Sequence, residues 1–583
     1  MNHPQSTAVI LALASVFAPT SRAAETPDAT KNEKPKETVI ELSPFTVSAG
    51  TDRGYQATST LAGSRLNTPL RDVGAPVSVL TRDFFTDMGA TDAASVLAFT
   101  ASMEVSGVQG NFAGGGLTGG AQHFDVTAER TTPQSSGQRV RGLARASITR
   151  GFFLTDIPFD SFNTDRVTIS RGPNALLFGI GEVGGIIDNS VKPAETYGNF
   201  GEATVRAGLR SSHRENVDFN FVLVPNRVAL RIAGLQETTE FQQRPAFEDV
   251  DRLYLALKAV IFENKRSGIL GPLTLKANGE FGRTVANPPN IVPPLDGITP
   301  WFSAPPHSAA AVRSLNDGAL PARIAWVGNG GYVPKLIVDN RTGLFTEANI
   351  PNAGLTPWFF QLPVTYNSPG AQRASVGLPD ASIAGVIGRV HWQLLSPTAP
   401  PNTRQIDFLG VAPLEFLGLM PGYTSPVVQD RSILDNTKLM VAGDGSRVRE
   451  SFDAKNVSLD QLFAGGRGGI QFAYDRQRYE NRSQLVHADT RSNMLVVDIN
   501  SYLPDLSPNP NVGRAYVMSQ GNGDDMAERT RTTRREAAQA TAFYRLDFTE
   551  KSGVVRWLGR HTLTGFWGTQ EIDRSYLFRN PMV

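Results

Sequence analysis

Arg166-Val-Thr-Ile-Ser-Arg-Gly-Pro-Asn-Ala-Leu-Leu-Phe-Gly-Ile-Gly-Glu-Val-Gly-Gly-Ile-Ile-Asp-Asn-Ser-Val-Lys192 is the stretch that decides the fold. A β-prone run, Val167 to Ser170, enters Arg171-Gly172-Pro173. A short apolar segment leads to Gly179, Gly181, Gly184 and Gly185, and a second β-prone run follows. Gly179-Ile-Gly181-Glu-Val-Gly184 also satisfies G-x-G-x-x-G, which holds a pyrophosphate when a strand feeds the turn and a helix leaves it. Here Ile186-Ile187 and Ser190-Val191 follow, Pro193 ends the segment, and no helical periodicity appears. The glycines therefore read as tight turns between short strands in a β domain. Gly184 and Gly185 are expected in conformations or contacts that a Cβ would disturb. Arg171, with five donors, is expected to tie carbonyls or carboxylates together rather than to touch a ligand.

This run resembles the plug-domain signature of TonB-dependent outer-membrane receptors, roughly R-G-P-x-A-x-L-Y/F-G-x-G-x-x-G-G-x-I/V-N-x-x-x-K. The resemblance extends over about residues 51–193. Arg65-Leu-Asn-Thr-Pro-Leu-Arg-Asp-Val-Gly-Ala-Pro-Val-Ser-Val-Leu-Thr81 is similar to the family's R-x-x-T-P-L-x-D-x-P-x-S-V-x-V-x-T. Val140-Arg141-Gly142 and Ile148 to Pro158 are similar to two further plug elements, with Ile157 where the family usually has Gly. Asp188 stands where it often has Asn. The signature positions are Arg65, Thr68, Pro69, Asp72, Pro76, Arg141, Gly142, Asp156, Arg171, Gly172, Pro173, Gly179, Gly181, Gly184, Gly185 and Lys192. Between the elements, Phe84 to Ala98 predicts a short helix ending at Gly89 and a second capped by Thr91 or Asp92. Gly107 to Ser136, rich in Gly, Thr and Gln, reads as surface loops.

The N-terminus reads as an export signal, residues 1–23: an apolar run from Ala8 to Ala18, then small residues at Ser21 and Ala23, although no Lys or Arg precedes the run. Residues 24–50 read as a linker, because Glu25 to Glu37 is charged, proline-bearing and too polar to bury a core. At its end lies Leu42-Ser43-Pro44-Phe45-Thr46-Val47-Ser48-Ala49. It resembles a TonB box, an extended peptide on a flexible leash that a partner captures by strand addition. Pro44 departs from commoner boxes because it lacks a backbone donor.

From residue 194 to 583 the texture becomes strand, turn, strand. Val217, Phe219, Phe221 and Leu223 alternate with polar residues, Pro225-Asn226 makes a turn, and Val228, Leu230 and Ile232 alternate again. Similar stretches lie near 253–262, 273–281, 451–459, 468–479, 540–548 and 561–572, giving eight or nine strands. The expected fold class is mainly β: a small α/β plug followed by antiparallel transmembrane β-barrel strands, with the barrel incomplete in this chain. The chain reads as the plug and roughly the first half of a barrel, a truncated or fragmentary product. Thr284 to Gly445, with Trp301, Trp326, Trp358 and Trp392, is too long for an ordinary loop and reads as extracellular.

Charge is balanced, 56 Lys+Arg against 55 Asp+Glu, and no basic stripe suggests nucleic acid. Cysteine is absent, and the seven histidines form no H-x-x-x-H or H-E-x-x-H, so no metal site is readable. No G-x-S-x-G elbow appears, and Asp524-Asp525 reads as solvated surface, so no enzyme and no cofactor are expected. The resemblance implies an outer-membrane receptor that imports a scarce, bulky ligand with energy from a TonB-like periplasmic partner. It also implies outer-membrane lipid around the barrel and the barrel assembly machinery to insert it. A siderophore, a glycan and cobalamin all remain open as the extracellular ligand, and the ligand-binding residues are not readable. The rival reading is a secreted carbohydrate-binding or adhesive β protein.

Overall fold

The computed structural model describes residues 44–47, 52, 54–105, 138–142, 146–172, 184–262, 269–289, 293–294, 428–484 (less 429–430, 433 and 442) and 528–579, with seven further short strands as backbone. In chain order the first part gives β1 (Ser59–Thr60), β2 (Thr68–Pro69), β3 (Val77–Leu80), α1 (Arg82–Met88), α2 (Ala93–Leu97), β4 (Met103–Val105), β5 (Gln138–Val140), β6 (Ser147–Arg150), β7 (Phe153–Leu154), β8 (Thr164–Arg171) and β9 (Gly185–Val191). The second part begins with β10 (Phe200–Ala207), β11 (His213–Val224), β12 (Val228–Glu240), β13 (Phe247–Phe262) and β14 (Leu270–Asn287). Five short strands follow: β15 (Leu295–Asp296), β16 (Leu336–Asp339), β17 (Leu344–Glu347), β18 (Thr365–Tyr366) and β19 (Ile387–Gly388). Then come β20 (Arg447–Phe463), β21 (Gly468–Gln484), β22 (Asn493–Val497), β23 (Ala515–Ser519), β24 (Glu528–Asp547) and β25 (Arg560–Arg579).

The first part is a small α/β unit. Its five-stranded sheet runs β3-β8-β9-β6-β7, antiparallel except for the parallel β6–β9 pair. Thr81 caps α1 through its side chain to the Phe84 N–H, and Gly89, at φ +63°, ends it. Asp92 and Ser95 form a reciprocal capping box on α2. The capped helices lay Phe85, Val96 and Leu97 against Ile148, Val167, Ile169 and Ile187 of the sheet, all buried.

The second part is one antiparallel sheet of nine strands, β10-β11-β12-β13-β14-β20-β21-β24-β25, not closed on itself. Its strands follow from period-two patterning. On β11 the residues Arg214, Asp218 and Asn220 are buried on the inner face, against the α/β unit, while Val217, Phe219, Phe221 and Leu223 alternate with them on the other face. The register carries this through the sheet: Phe219 faces Ile232, Ile232 faces Leu255, Leu253 faces Phe281, and Leu459 faces Phe472. The result is a wall with an apolar outer band and a polar inner face, the arrangement that satisfies lipid outside and a hydrated interior within. Turns at residues 225–227 and 464–467 mark one rim, and the long connections after β14 and β21 leave from the other. No described helix is long and apolar enough to cross a membrane, which says nothing of crossing by strands.

The strands anticipated from alternation are present, but they are longer than the patterns suggested. The stretch read as 540–548 is the end of the 20-residue β24, and that read as 253–262 belongs to a strand starting at Phe247. Polar pairs near the far rim mask the apolar alternation there. Gly107 to Ser136 and the four tryptophans of the long connection lie outside the described residues.

Gly185 occupies φ +114°, and a Cβ there would sit 2.0 Å from the Ser170 carbonyl oxygen. Gly185→Ala is expected to destabilise the α/β unit by about 1–3 kcal/mol, from backbone strain at a position only glycine adopts easily. Thermal denaturation of the micelle-folded chain checks this; an unchanged midpoint would count against it.

Candidate functional site: the plug–wall interface and the N-terminal segment

The signature residues fall into three groups. The first holds the turns of the α/β unit. Thr68 Oγ1 donates to Leu66 O at 2.9 Å, and β2, Thr68–Pro69, pairs with β1. Asp72 lies in a single 3-10 turn on the surface, and Pro76 O accepts from the Arg171 N–H at 3.2 Å. Arg141 and Gly142 form a turn with φ of +56° and +69°. Arg171 donates from Nη1 to Ser78 Oγ and from Nη2 to Ala101 O, each at 2.8 Å. Burial draws its guanidinium down from its ordinary value, and the neighbouring Arg141 charge adds to this. The Gly172 N–H donates to Gly184 O at 3.3 Å. Pro173, Gly179 and Gly181 lie outside the described residues.

The second group meets the wall. Asp156 accepts two hydrogen bonds from Arg535 of β24, at 2.9 and 3.1 Å. Lys192 Nζ donates to Phe162 O at 2.7 Å and to Asp218 of β11 at 2.8 Å; Arg231 of β12 grips the same carboxylate at 2.7 Å through Nε and Nη2. Arg65, at φ +58°, lies 3.8 Å over the Phe566 ring of β25 and donates to Gln539 of β24 at 2.7 Å. Burial draws its charge down to about 10. Asp188 sits fully buried in β9. It accepts from Thr149 Oγ1 at 2.7 Å, from the Phe152 N–H at 2.5 Å and from Ser190 Oγ at 2.9 Å. Burial nevertheless pushes its carboxyl up to about 6, with those hydrogen bonds and the Arg65 charge opposing.

Sequence reasoning missed the strongest part of this interface. Arg150 of β6 donates through Nε to Glu280 of β14 at 3.3 Å and through Nη1 to Asn278 at 2.9 Å. Arg252 of β13 donates to the same Glu280 at 2.5 and 3.1 Å and to Pro158 O at 2.8 Å. Asp160 takes Arg214 of β11 at 2.6 and 3.2 Å, and Arg214 also pairs with Glu237. The side chains of Arg150, Glu280, Arg252, Arg214 and Asp160 are almost wholly buried. Inward charges on strands whose outward residues are apolar were the available signal, since a lumen-facing charge needs a partner.

The third group is the N-terminal segment. Of Leu42 to Ala49, the residues Leu42, Ser43, Ser48 and Ala49 lie outside the described residues. Pro44 to Val47 do not hang free as the leash reading expected. Phe45 is buried against Leu66, Leu462 and Phe543, edge-to-face with Phe543 at 5.4 Å between centroids. Asn67 donates through its backbone N–H to Pro44 O at 2.7 Å and through Nδ2 to Thr46 O at 3.2 Å; Lys276 of β14 reaches Thr46 Oγ1. An aromatic side chain gains more from an apolar socket than from water, which explains the tuck. The socket lies at the rim of short turns, where β20 and β24 end.

A nine-stranded antiparallel wall packed on an ion-paired α/β unit defines the fold: a plug docked against barrel-type strands. Residues 69–186 match the family model described as TonB-dependent Receptor Plug Domain, so that stretch is similar to the plug of the TonB-dependent receptors. The chain is 25% identical over 193 residues to the ferrichrome outer membrane transporter/phage receptor of Escherichia coli K12, covering 33% of this chain and 24% of that protein. To the ferrioxamine B receptor of Salmonella typhimurium SL1344 it is 27% identical over 214 residues, covering 36% and 28%. The matched part thus spans about a quarter of the length of these curated relatives. Among solved structures, the ferripyoverdine receptor of Pseudomonas aeruginosa aligns at TM-score 0.48 and 11% identity, covering 92% of this chain and 47% of that one. These relatives are transport receptors rather than enzymes, and they belong to the outer membrane of Gram-negative bacteria.

Proposed function

We propose that this chain works as an energy-coupled outer-membrane receptor that imports a scarce, bulky extracellular ligand. The observation that carries this reading is the placement of Phe45-Thr46-Val47 at the rim of short turns, joined through Leu66 and Asn67 to the plug. A pull on that segment is transmitted directly into the plug. In this reading residues 1–23 direct export, 24–50 carry the partner-binding strand, 51–193 form the plug, and 194–583 supply wall strands with extracellular connections. A TonB-like periplasmic protein adds a strand to the segment around Thr46 and Val47. Lipid surrounds the apolar band, the barrel assembly machinery inserts the wall, and no cofactor or covalent chemistry takes part. The relatives' iron-carrying siderophores make a ligand of that kind the first to test. The secreted carbohydrate-binding alternative has no observation in its favour.

The chain has no cysteine, so Val47→Cys creates a unique thiol. In the receptor in its membrane it is expected to form a disulfide with single-cysteine variants of the TonB-like partner. Val47→Pro, which removes a main-chain donor, is expected to abolish ferrichrome- or ferrioxamine-supported growth where the unaltered receptor supports it, with surface binding retained. Absence of cross-links across a scan of the partner, or growth untouched by the proline, would refute the segment's role.

A further inference from the structure

On the reading just given, the partner's pull must part the plug from the wall, and the contacts between the two differ in kind from strand to strand. Ion pairs between described residues of plug and wall end on β10, β11, β13, β14 and β24: Arg82 with Glu202, Lys192 with Asp218, Asp160 with Arg214 and Arg252, Arg150 with Glu280, and Asp156 with Arg535. In the sheet order, β20 and β21 lie between the pinned strands β14 and β24, a stretch of three strand spacings or about 14 Å. There the plug's loop 155–157 meets uncharged groups. Thr155 Oγ1 donates to Gln477 Oε1 at 2.7 Å, and Ile157 packs among Phe452, Ala454 and Tyr479.

The one carboxylate at this level of β20 and β21 is held by the wall itself. Asp475, opposite Asn456 in the register, accepts from Asn456 Nδ2 at 3.0 Å and from Gln477 Nε2 at 2.7 Å. Arg150 of the plug attracts it, but that guanidinium is committed to Glu280 and Asn278 of β14. A neutral hydrogen bond and an apolar contact yield at lower cost than a buried ion pair, which strands two charges in a poorly hydrated interface when it breaks. The pull also arrives here. Phe45 packs against Leu462 at the foot of β20 and Phe543 of β24, and a Cβ on Gly469 of β21 would lie 3.2 Å from its ring.

We infer that a pull on the N-terminal segment parts the plug from the wall along β20 and β21 first, and that Ala454, Asn456, Asp475 and Gln477 line the passage that opens. Arg150, pinned to β14, and Asp156, pinned to β24, stay behind as its two edges. Neutral amides give a polar cargo exchangeable hydrogen bonds without the strong hold of charged pairs. This rests on the import reading and deepens it by naming the side on which the path forms.

The chain has no cysteine, so single cysteines report where the plug lifts. Ala454→Cys probes β20, with Ala233→Cys on β12 and Ala537→Cys on β24 as references; all three alanines are buried on the plug side of the wall. The full chain folded in micelles is labelled with N-ethylmaleimide in urea below its unfolding midpoint. Ala454→Cys is expected to react roughly tenfold or more faster than the references, because a buried thiol reacts through local opening. In cells with the TonB-like partner and ferrichrome supplied, its labelling should rise when the inner membrane is energised, and theirs should not. Thr155→Lys brings an ammonium within reach of Asp475 and should slow the labelling of Ala454→Cys in urea. Thr155→Met, of similar bulk without charge, should not. Equal or slower labelling at Ala454→Cys in urea, an equal rise with energy at all three sites, no such rise while the Val47→Cys cross-link forms, or no difference between the lysine and methionine variants overturns the inference. Should the seam stay closed while that cross-link forms, the path falls and the receptor reading stands. Should the cross-link fail while the seam labels selectively in urea, the receptor reading falls and the weak seam stands.

Discussion

Glu280→Ala is expected to cost the folded chain about 3–5 kcal/mol, the usual penalty for removing one partner of a buried ion pair. Glu280 accepts from Arg150 of the plug and from Arg252 of the wall, and all three are almost wholly buried. Without it two guanidinium groups face each other with no carboxylate between them, in an interior that water reaches poorly. Arg150 keeps Asn278, and Arg252 keeps Pro158 O and a 4.0 Å approach to Asp160, so the local fold is retained while the plug's grip on β13 and β14 weakens. The readout is the thermal midpoint of the micelle-folded protein, together with protease access to the plug. A control separates charge from volume. Glu280→Leu combined with Arg150→Met and Arg252→Met removes the three charges of the cluster at similar bulk and leaves Asp160 its partner Arg214, and it is expected to cost much less than Glu280→Ala. A Glu280→Ala midpoint within error of the unaltered protein would show that the cluster does not hold the plug.

That cluster also marks the limit of what one sequence yields. The plug's helices were legible because their signals are local: Thr81 and Asp92 cap, Gly89 stops, and apolar residues recur at helical spacing. The strands were legible because alternation at period two is local, and their far ends were missed where polar residues occupy both faces. Asp156 was singled out through a family pattern, but its partner Arg535 lies 379 residues away. Nothing in the spacing of a single chain joins such a pair, and many inward arginines could have served. Phe45 was placed in a partner-binding segment on a flexible leash, a reading that did not anticipate the burial of its ring. Its burial depends on a socket assembled from Leu66, Leu462 and Phe543, residues brought together only by the wall. Local physics thus gave the elements, and the interface followed from closure of distant elements around the plug.

Asp188 offers the clearest dependence on pH. Its carboxyl, fully buried in β9, titrates at about 6 against 3.8 in an unfolded chain, because burial disfavours the charged form more than its hydrogen bonds and Arg65 favour it. The native state therefore binds the proton more tightly than the unfolded state. Stability from this group is fully present below pH 3.8, falls as pH rises between 3.8 and about 6, and is lost above. The difference corresponds to about 3 kcal/mol. Asp188→Asn keeps an oxygen for the Thr149 hydroxyl and the Phe152 N–H, and its amide can donate to Ser190 Oγ, so it imitates the protonated acid at every pH. At pH 7 it is expected to stabilise the plug by up to about 3 kcal/mol, less whatever attraction Arg65 loses. At pH 4 the two proteins should melt nearly together. Subtracting the two melting curves across pH 4–8 removes the other carboxylates, which titrate alike in both. A difference that grows from pH 4 to about 6 and levels off above supports the assignment. A flat difference, or an asparagine variant less stable at pH 7 than at pH 4 relative to the unaltered chain, would mean that Arg65 holds Asp188 ionised and that the pair stabilises the plug as a salt bridge.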